Sequence, residues 1–178
     1  MTNRTWHGLA PLPIRLILGA GFIVHGYPKL FTASGIDGFA DGLAGMGVPA
    51  PMLMAWLVGV IEVVGGLCII LGALTRVWAA LGIADMIGAI ALVHWPAGFL
   101  AGNIVSMSDT GPVYGPPGWE VNILYIAGFL ALVIGGAGAY SVDAWYARQR
   151  GVRVNPGRVE DAELVEAAST ASARSRSR

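Results

Sequence analysis

Between Leu12 and Val142 the chain holds four apolar runs, each long enough to cross a bilayer, and this spacing constrains its fold more than any other feature. A hydrocarbon core takes about 20 predominantly apolar residues per helix. Leu12 to Leu30, Met52 to Leu74, Val77 to Trp95 and Val121 to Val142 meet that length. Composition agrees, with 55% of the 178 residues hydrophobic and 12% charged, against roughly 25% charged in an average soluble domain. A soluble domain this short has no room to hide so much apolar surface. The expected fold is therefore all-α, a polytopic four-transmembrane-helix bundle whose partner is the lipid bilayer. Only Thr75 and Arg76 separate the second and third runs, so those two form a tight hairpin. The 31–51 and 96–120 connections are longer and rich in Gly, Pro and aromatic residues.

Basic residues orient the bundle, because short cytoplasmic loops carry the excess of Lys and Arg. Arg4, Arg15, Arg76, Arg148, Arg150 and Arg153 fall on one side if the spans alternate, while the two long connections contain neither Lys nor Arg. Both termini are thus expected in the cytoplasm, in a multi-pass protein of the cell membrane. Trp56, Trp95, Trp119 and Tyr125 would mark the outer interface, and Trp6, Trp78, Trp145 and Tyr146 the inner one. Residues 1–11 read as a cytoplasmic N-terminus and 12–146 as the membrane domain. Seven of the eleven Lys and Arg lie from Arg148 onward, and 147–178 reads as a disordered cytoplasmic tail with no core-forming face. A short helix at Val159 to Ala168 is compatible with its composition. The first run is not read as a cleaved signal peptide, because Arg15, His25 and Lys29 lie in it and no A-x-A site follows. Basic residues gathered in a tail rather than on a folded face give no footprint for nucleic acid.

Ionisable groups inside a span are costly and normally face the bundle interior. Here they are Arg15, His25 and Lys29 in the first run, Glu62 in the second, and Asp85 and His94 in the third; Glu120 and Asn122 open the fourth. Arg15, Phe22, His25 and Lys29 recur at three- and four-residue steps and so share one helix face. From a rise of 1.5 Å per residue, His25 lies roughly 9 Å below the outer end of its helix and Glu62 about 15 Å below that of its own. His25, Lys29, Glu62, Asp85, His94, Glu120 and Asn122 are accordingly expected to line one polar pocket in the outer half. At the inner end Arg15 and Asp143 have matching depths and are expected to form a structural ion pair. Pro28 cannot donate to the carbonyl of Val24, so a kink and a free acceptor are expected beside His25. Gly59-Val-Ile-Glu62-Val-Val-Gly65 matches Gly82-Ile-Ala-Asp85-Met-Ile-Gly88 in pattern, which suggests that both acids occupy close-packed faces.

The catalytic signatures are missing. No HExxH, P-loop, GxSxG or CxxC is present, and a lone Cys68 cannot relay electrons through a dithiol. No metal-ligand spacing stands out, so no metal is expected. A haem between His25 and His94 is disfavoured by a depth difference of about 8 Å along the helical rise.

The first run, RLILGAGFIVHGYPKLF, resembles the opening of DoxX-family membrane proteins. The second run's GxxExxGG around Glu62, the LGALTR of the hairpin, and the last run's Trp-Glu-x-Asn start and Ser-x-Asp ending are similar to that family in the same order, over about residues 12 to 146. The resemblance implies a compact four-helix membrane bundle. It also implies association with membrane oxidoreductase complexes and oxidative-stress defence, with the cofactor unknown and a quinone one candidate, and an oxidoreductase protein as a candidate partner. The chain shows no redox centre of its own, so whether it is itself an enzyme stays open.

Three functions remain. The leading one is an accessory or subunit of a membrane-associated oxidoreductase system, with a quinone headgroup or small sulfur species in the outer-half pocket, His25 exchanging hydrogen bonds and Glu62 accepting a proton. The others are a non-enzymatic docking partner that uses the 96–120 connection or the tail, and a small transporter or proton pathway through Glu62 and Asp85, which would need a homo-oligomer to complete its path.

Overall fold

A computed structural model describes residues 8–150 of the chain. Helix α1 covers Pro11–Phe31 and begins on prolines, where the missing N–H is one the first turn leaves unpaired anyway. It remains helical through Pro28. The chain then turns by 98° into α2, Gly35–Gly45. Ile36, Phe39, Ala40 and Leu43 of α2 pack with Ala55, while Asp37 and Asp41 face outward. That three- and four-residue spacing is what buries one face of a surface helix.

Helix α3 spans Pro51–Leu71. Its middle, Ile61–Gly65, is a π-helical turn between two α segments. Gly72, at φ 70°, ends it in a conformation that suits glycine. Helix α4 follows at once over Thr75–Ala97, with a second π turn at Ile90–His94 and a 3-10 turn at Trp95–Ala97. The expected hairpin is therefore present, and its two helices are near the expected bounds.

Two expectations are corrected. The 96–120 connection contains an antiparallel hairpin, β1 Ile104–Ser108 and β2 Gly111–Tyr114, with Ser108 opposite Gly111. The fold is mostly helical rather than all-α, because β-branched residues flank an Asp-Thr-Gly turn there. Helix α5, Glu120–Gly135, also ends well before the apolar run does, which reaches Val142. Gly136 and Gly138 take positive φ of 74° and 79° and break it, and the chain re-enters a helix at α6, Val142–Gln149, capped by the Ser141 side chain accepting from the amide of Ala144. Hydrophobicity alone runs through this break because glycine counts as apolar yet readily takes the positive φ that ends a helix.

By length and composition α3 and α4 can each cross a membrane, and α1 joined to α2 across their bend makes a third candidate. Helix α5 is apolar but only 16 residues long. One core of Leu18, Phe22, Ile69, Ala79, Phe129 and Leu132 ties α1, α3, α4 and α5 together. Helices α1 and α3 cross at Gly19 and Gly66, where a Cβ on Gly19 would lie 2.5 Å from the Gly66 carbonyl oxygen. Small residues permit such an approach.

The repeated glycine pattern around Glu62 and Asp85 is not repeated in packing. Gly65 abuts Trp78 and Gly82 abuts the ring of Phe129, whereas Gly88 has nothing within 4 Å. The expectations for the tail beyond residue 150 and for residues 1–7 lie outside the described residues.

Candidate functional site

The polar centre of the bundle forms where α1 meets the π turn of α3. Glu62 lies in that turn and is 4% exposed. Lys29 donates to both of its carboxylate oxygens, with Nζ 2.7 Å from Oε1 and 2.6 Å from Oε2. Gly26 makes room for this pairing, since a Cβ there would come within 2.6 Å of the Glu62 Cβ. Single π turns recur at functional sites, where the extra residue re-aims a side chain. Lys29 does not run out to the surface alone. Its ammonium sits 4.6 Å from the ring centroid of Phe39 on α2, a cation–π contact. Among the described residues this is the one salt bridge.

Asp85 on α4 feels the charges of both Glu62 and Lys29. Its Oδ2 atom is buried and has no hydrogen-bond partner among the described residues. Such an atom is uncommon, because a buried polar group without a partner is costly. Asn122, at the start of α5, is buried and donates from Nδ2 to Met86 Sδ at 3.5 Å, next in sequence to Asp85. Below these groups lies an aromatic layer: Phe22 meets Phe129 edge-on at 4.8 Å and Tyr125 at 5.6 Å. Tyr125 belongs to this layer rather than to a membrane interface, and Gly21 leaves the space for its hydroxyl.

His25 shares the stripe of Phe22 and Lys29, as its spacing predicts. Phe22 is 2% exposed, yet His25 is exposed, so the packing around α1 opens one turn above Phe22. His25 precedes Gly26, which packs against the Glu62 side chain, and so sits at the open rim of the cluster. Its side chain makes no hydrogen bond among the described residues.

His94 and Glu120 do not join this centre. His94 Nδ1 lies 2.9 Å from the Pro117 carbonyl oxygen, and Glu120 Oε2 accepts from the amide of Ala101 at 3.0 Å. With the Trp119 amide donating to the Gly98 carbonyl at 3.1 Å, these contacts bolt the β-hairpin connection to the ends of α4 and α5. Trp95 stacks on Trp119 at 6.1 Å in the same place.

The expected ion pair at the other end is replaced by two separate anchors. Arg15, 2% exposed, donates to the carbonyls of Ile69 at 2.9 Å, Ile70 at 2.5 Å, and Ala137 and Tyr140 at 2.8 Å each. Asp143 instead accepts from the amides of Leu74 and Thr75 at 2.8 and 3.0 Å, capping α4. The end carbonyls of α3 and the carbonyls of the turn between α5 and α6 compete for the guanidinium, and the orphan amides of α4 for the carboxylate. Depth matching found the right residues but could not see those backbone groups. Phe39 is not among the expected site residues, because α2 lies in the 31–51 connection; the spacing of Ile36, Phe39, Ala40 and Leu43 is the signal that could have found it.

The family model DoxX matches residues 10–95, a stretch that carries Arg15, His25, Lys29, Glu62, Asp85 and His94. Over 127 residues, 68% of this chain and 79% of the relative, the chain is 35% identical to "Inner membrane protein YphA" of Escherichia coli (strain K12). The chain belongs to the DoxX family. This DoxX protein is an integral membrane protein, and its mostly helical fold with two to three candidate spans agrees with that. It is 33% identical over 92 residues to "Putative oxidoreductase CatD" of Bacillus subtilis (strain 168), covering 52% of this chain and 65% of the relative. It is 39% identical over 92 residues to "Uncharacterized membrane protein Rv3486" of Mycobacterium tuberculosis (strain ATCC 25618 / H37Rv), covering 49% of this chain and 55% of the relative. No solved structure matches the chain.

Proposed function

We propose that this DoxX protein crosses the cell membrane four times with both termini in the cytoplasm. It serves as an accessory or subunit of a membrane-associated oxidoreductase or oxidative-stress system, binding a quinone or small sulfur species in its outer half. The observation that carries this reading is the Lys29–Glu62 pair held inside the bundle beside an unpartnered Asp85 oxygen. Charges are kept at such depth at considerable cost, and that favours a role in binding or proton handling. The oxidoreductase in the name of CatD supports the redox context. The ligand site narrows to Lys29, Glu62 and Asp85, with Asn122 alongside and His25 at the rim; His94 and Glu120 serve the loop above it. Titrating purified protein with a soluble quinone analogue, followed by tryptophan emission and thermal unfolding, tests the reading. Emission and melting temperature should both move to saturation, and no response at saturating analogue would remove it.

A second reading is favoured by the β-hairpin, whose Ile104, Val105, Met107 and Tyr114 are all more than half exposed. In that reading the protein is a docking partner without chemistry of its own. Deleting residues 100–116 would then abolish its cellular phenotype while Glu62→Gln spared it, and the opposite pattern would favour the polar site.

A further inference from the structure

We infer that the polar centre takes an uncharged ligand and not an anionic sulfur species, with Asp85 as the residue that contacts the ligand's oxygen. The inference rests on the binding site proposed above and narrows its ligand. It starts from a count of charges. Lys29 supplies the one cation inside the cluster, and both oxygens of Glu62 already hold it, at 2.7 and 2.6 Å. The remaining acidic group is Asp85, whose Oδ2 is buried without a partner. Asn122 is neutral and already donates to Met86. His25 is exposed at the rim and makes no hydrogen bond to these groups.

An oxyanion entering this centre would meet a carboxyl group and no free cation. It would also leave its own hydration shell, which is costly without a compensating charge. An uncharged molecule meets neither obstacle. The free Oδ2 of Asp85 then has a simple partner. As a carboxylate it accepts a hydrogen bond from a ligand hydroxyl; as a carboxylic acid it donates one to a ligand carbonyl. One proton shared between Asp85 and the ligand oxygen therefore serves a hydroquinone and its quinone alike. Phe22 and Phe129 are covered by the core, so within this layer it is the half-buried Tyr125 that leaves apolar surface for the ring. Phe39, already over Lys29, would bound the site from the α2 side.

The test uses full-length protein in lipid nanodiscs and two probes, a short-chain benzohydroquinone followed by tryptophan emission and radiolabelled thiosulfate followed by filter binding. Wild-type protein should bind the hydroquinone and leave thiosulfate unbound at a concentration a hundredfold higher. Asp85→Leu should weaken the hydroquinone at least tenfold, and Glu62→Gln, which frees the charge of Lys29, should gain thiosulfate binding. Asp85→Ala takes the place of Asp85→Leu if the larger residue does not elute as a folded species. Wild-type protein that binds thiosulfate overturns the inference and leaves the site standing, as does a folded Asp85 variant with unchanged hydroquinone affinity. Folded wild-type protein that binds neither probe removes the site and the inference together.

Discussion

Lys29 and Glu62, on successive long helices, meet through both carboxylate oxygens inside the bundle, and Gly26 is the residue that lets them. The pair links α1 to the π turn of α3 at the point where a Cβ on Gly26 would strike the Glu62 side chain. It also lies beneath Phe39, so one contact fastens three helices.

Breaking this pair from one side should be worse than removing it whole. Lys29→Met leaves a buried carboxylate uncompensated and should lower stability by roughly 3 kcal/mol, the low end for a buried pair because Lys29 is partly exposed. Lys29→Met with Glu62→Leu should recover at least half of that loss. Unfolding in a fixed detergent, read by circular dichroism as a double-mutant cycle, measures the difference; equal losses in the single and double variants would refute the coupling.

The glycines should divide sharply by position. Gly19→Ala and Gly66→Ala each force a Cβ onto a carbonyl oxygen of the facing helix, and overpacking of this kind costs about 1–3 kcal/mol. Gly38→Ala, on the open face of α2 with nothing within 4 Å, should instead gain up to about 1 kcal/mol from helix propensity. The sign of the shift in melting temperature decides between them.

Arg15 acts through geometry more than through charge. Arg15→Lys keeps the charge but cannot reach four carbonyls with a single ammonium. It should destabilise by about 2–3 kcal/mol, in line with buried acceptors left unpaired. Asp143→Ala removes only the cap of α4 and should cost about 1 kcal/mol. An Arg15→Lys protein that melts like wild type would show that these bonds are dispensable.

The proposed topology can be read by labelling. In a Cys68→Ser background, Ser108→Cys at the hairpin should react with a membrane-impermeant maleimide in intact spheroplasts. Gln149→Cys, at the end of α6, should react only after permeabilisation. The reverse pattern would invert the orientation.

The hairpin of α3 and α4 was legible in the letters because a long apolar run and a Gly-Ala-Leu-Thr-Arg break need no distant partner to be recognised. So was the placement of Lys29 and Glu62, since both follow from counting residues along a helix. Asp85 and Asn122 were named correctly as polar groups in apolar surroundings, but their partners were not, because which face of α4 meets α5 depends on packing. His94 and Glu120 are expected in the pocket, whereas their side chains bond the backbone of the 96–120 connection. Their depth was predictable, whereas the backbone groups of Ala101 and Pro117 that bind them are brought there only by a folded loop.

What the sequence determined by itself is the membrane as solvent, the tight helical turn at Thr75 and the stripe from Arg15 to Lys29, because hydrophobic length and helical period are properties of neighbouring residues. Tertiary structure decided the rest. It bent the chain by 98° into α2 so that Phe39 covers Lys29, stopped α5 at Gly135, and gave Arg15 and Asp143 to separate backbone ends rather than to each other. Those outcomes turn on unpaired amides and carbonyls from distant segments, because a buried backbone group must find a hydrogen-bond partner wherever the fold brings one.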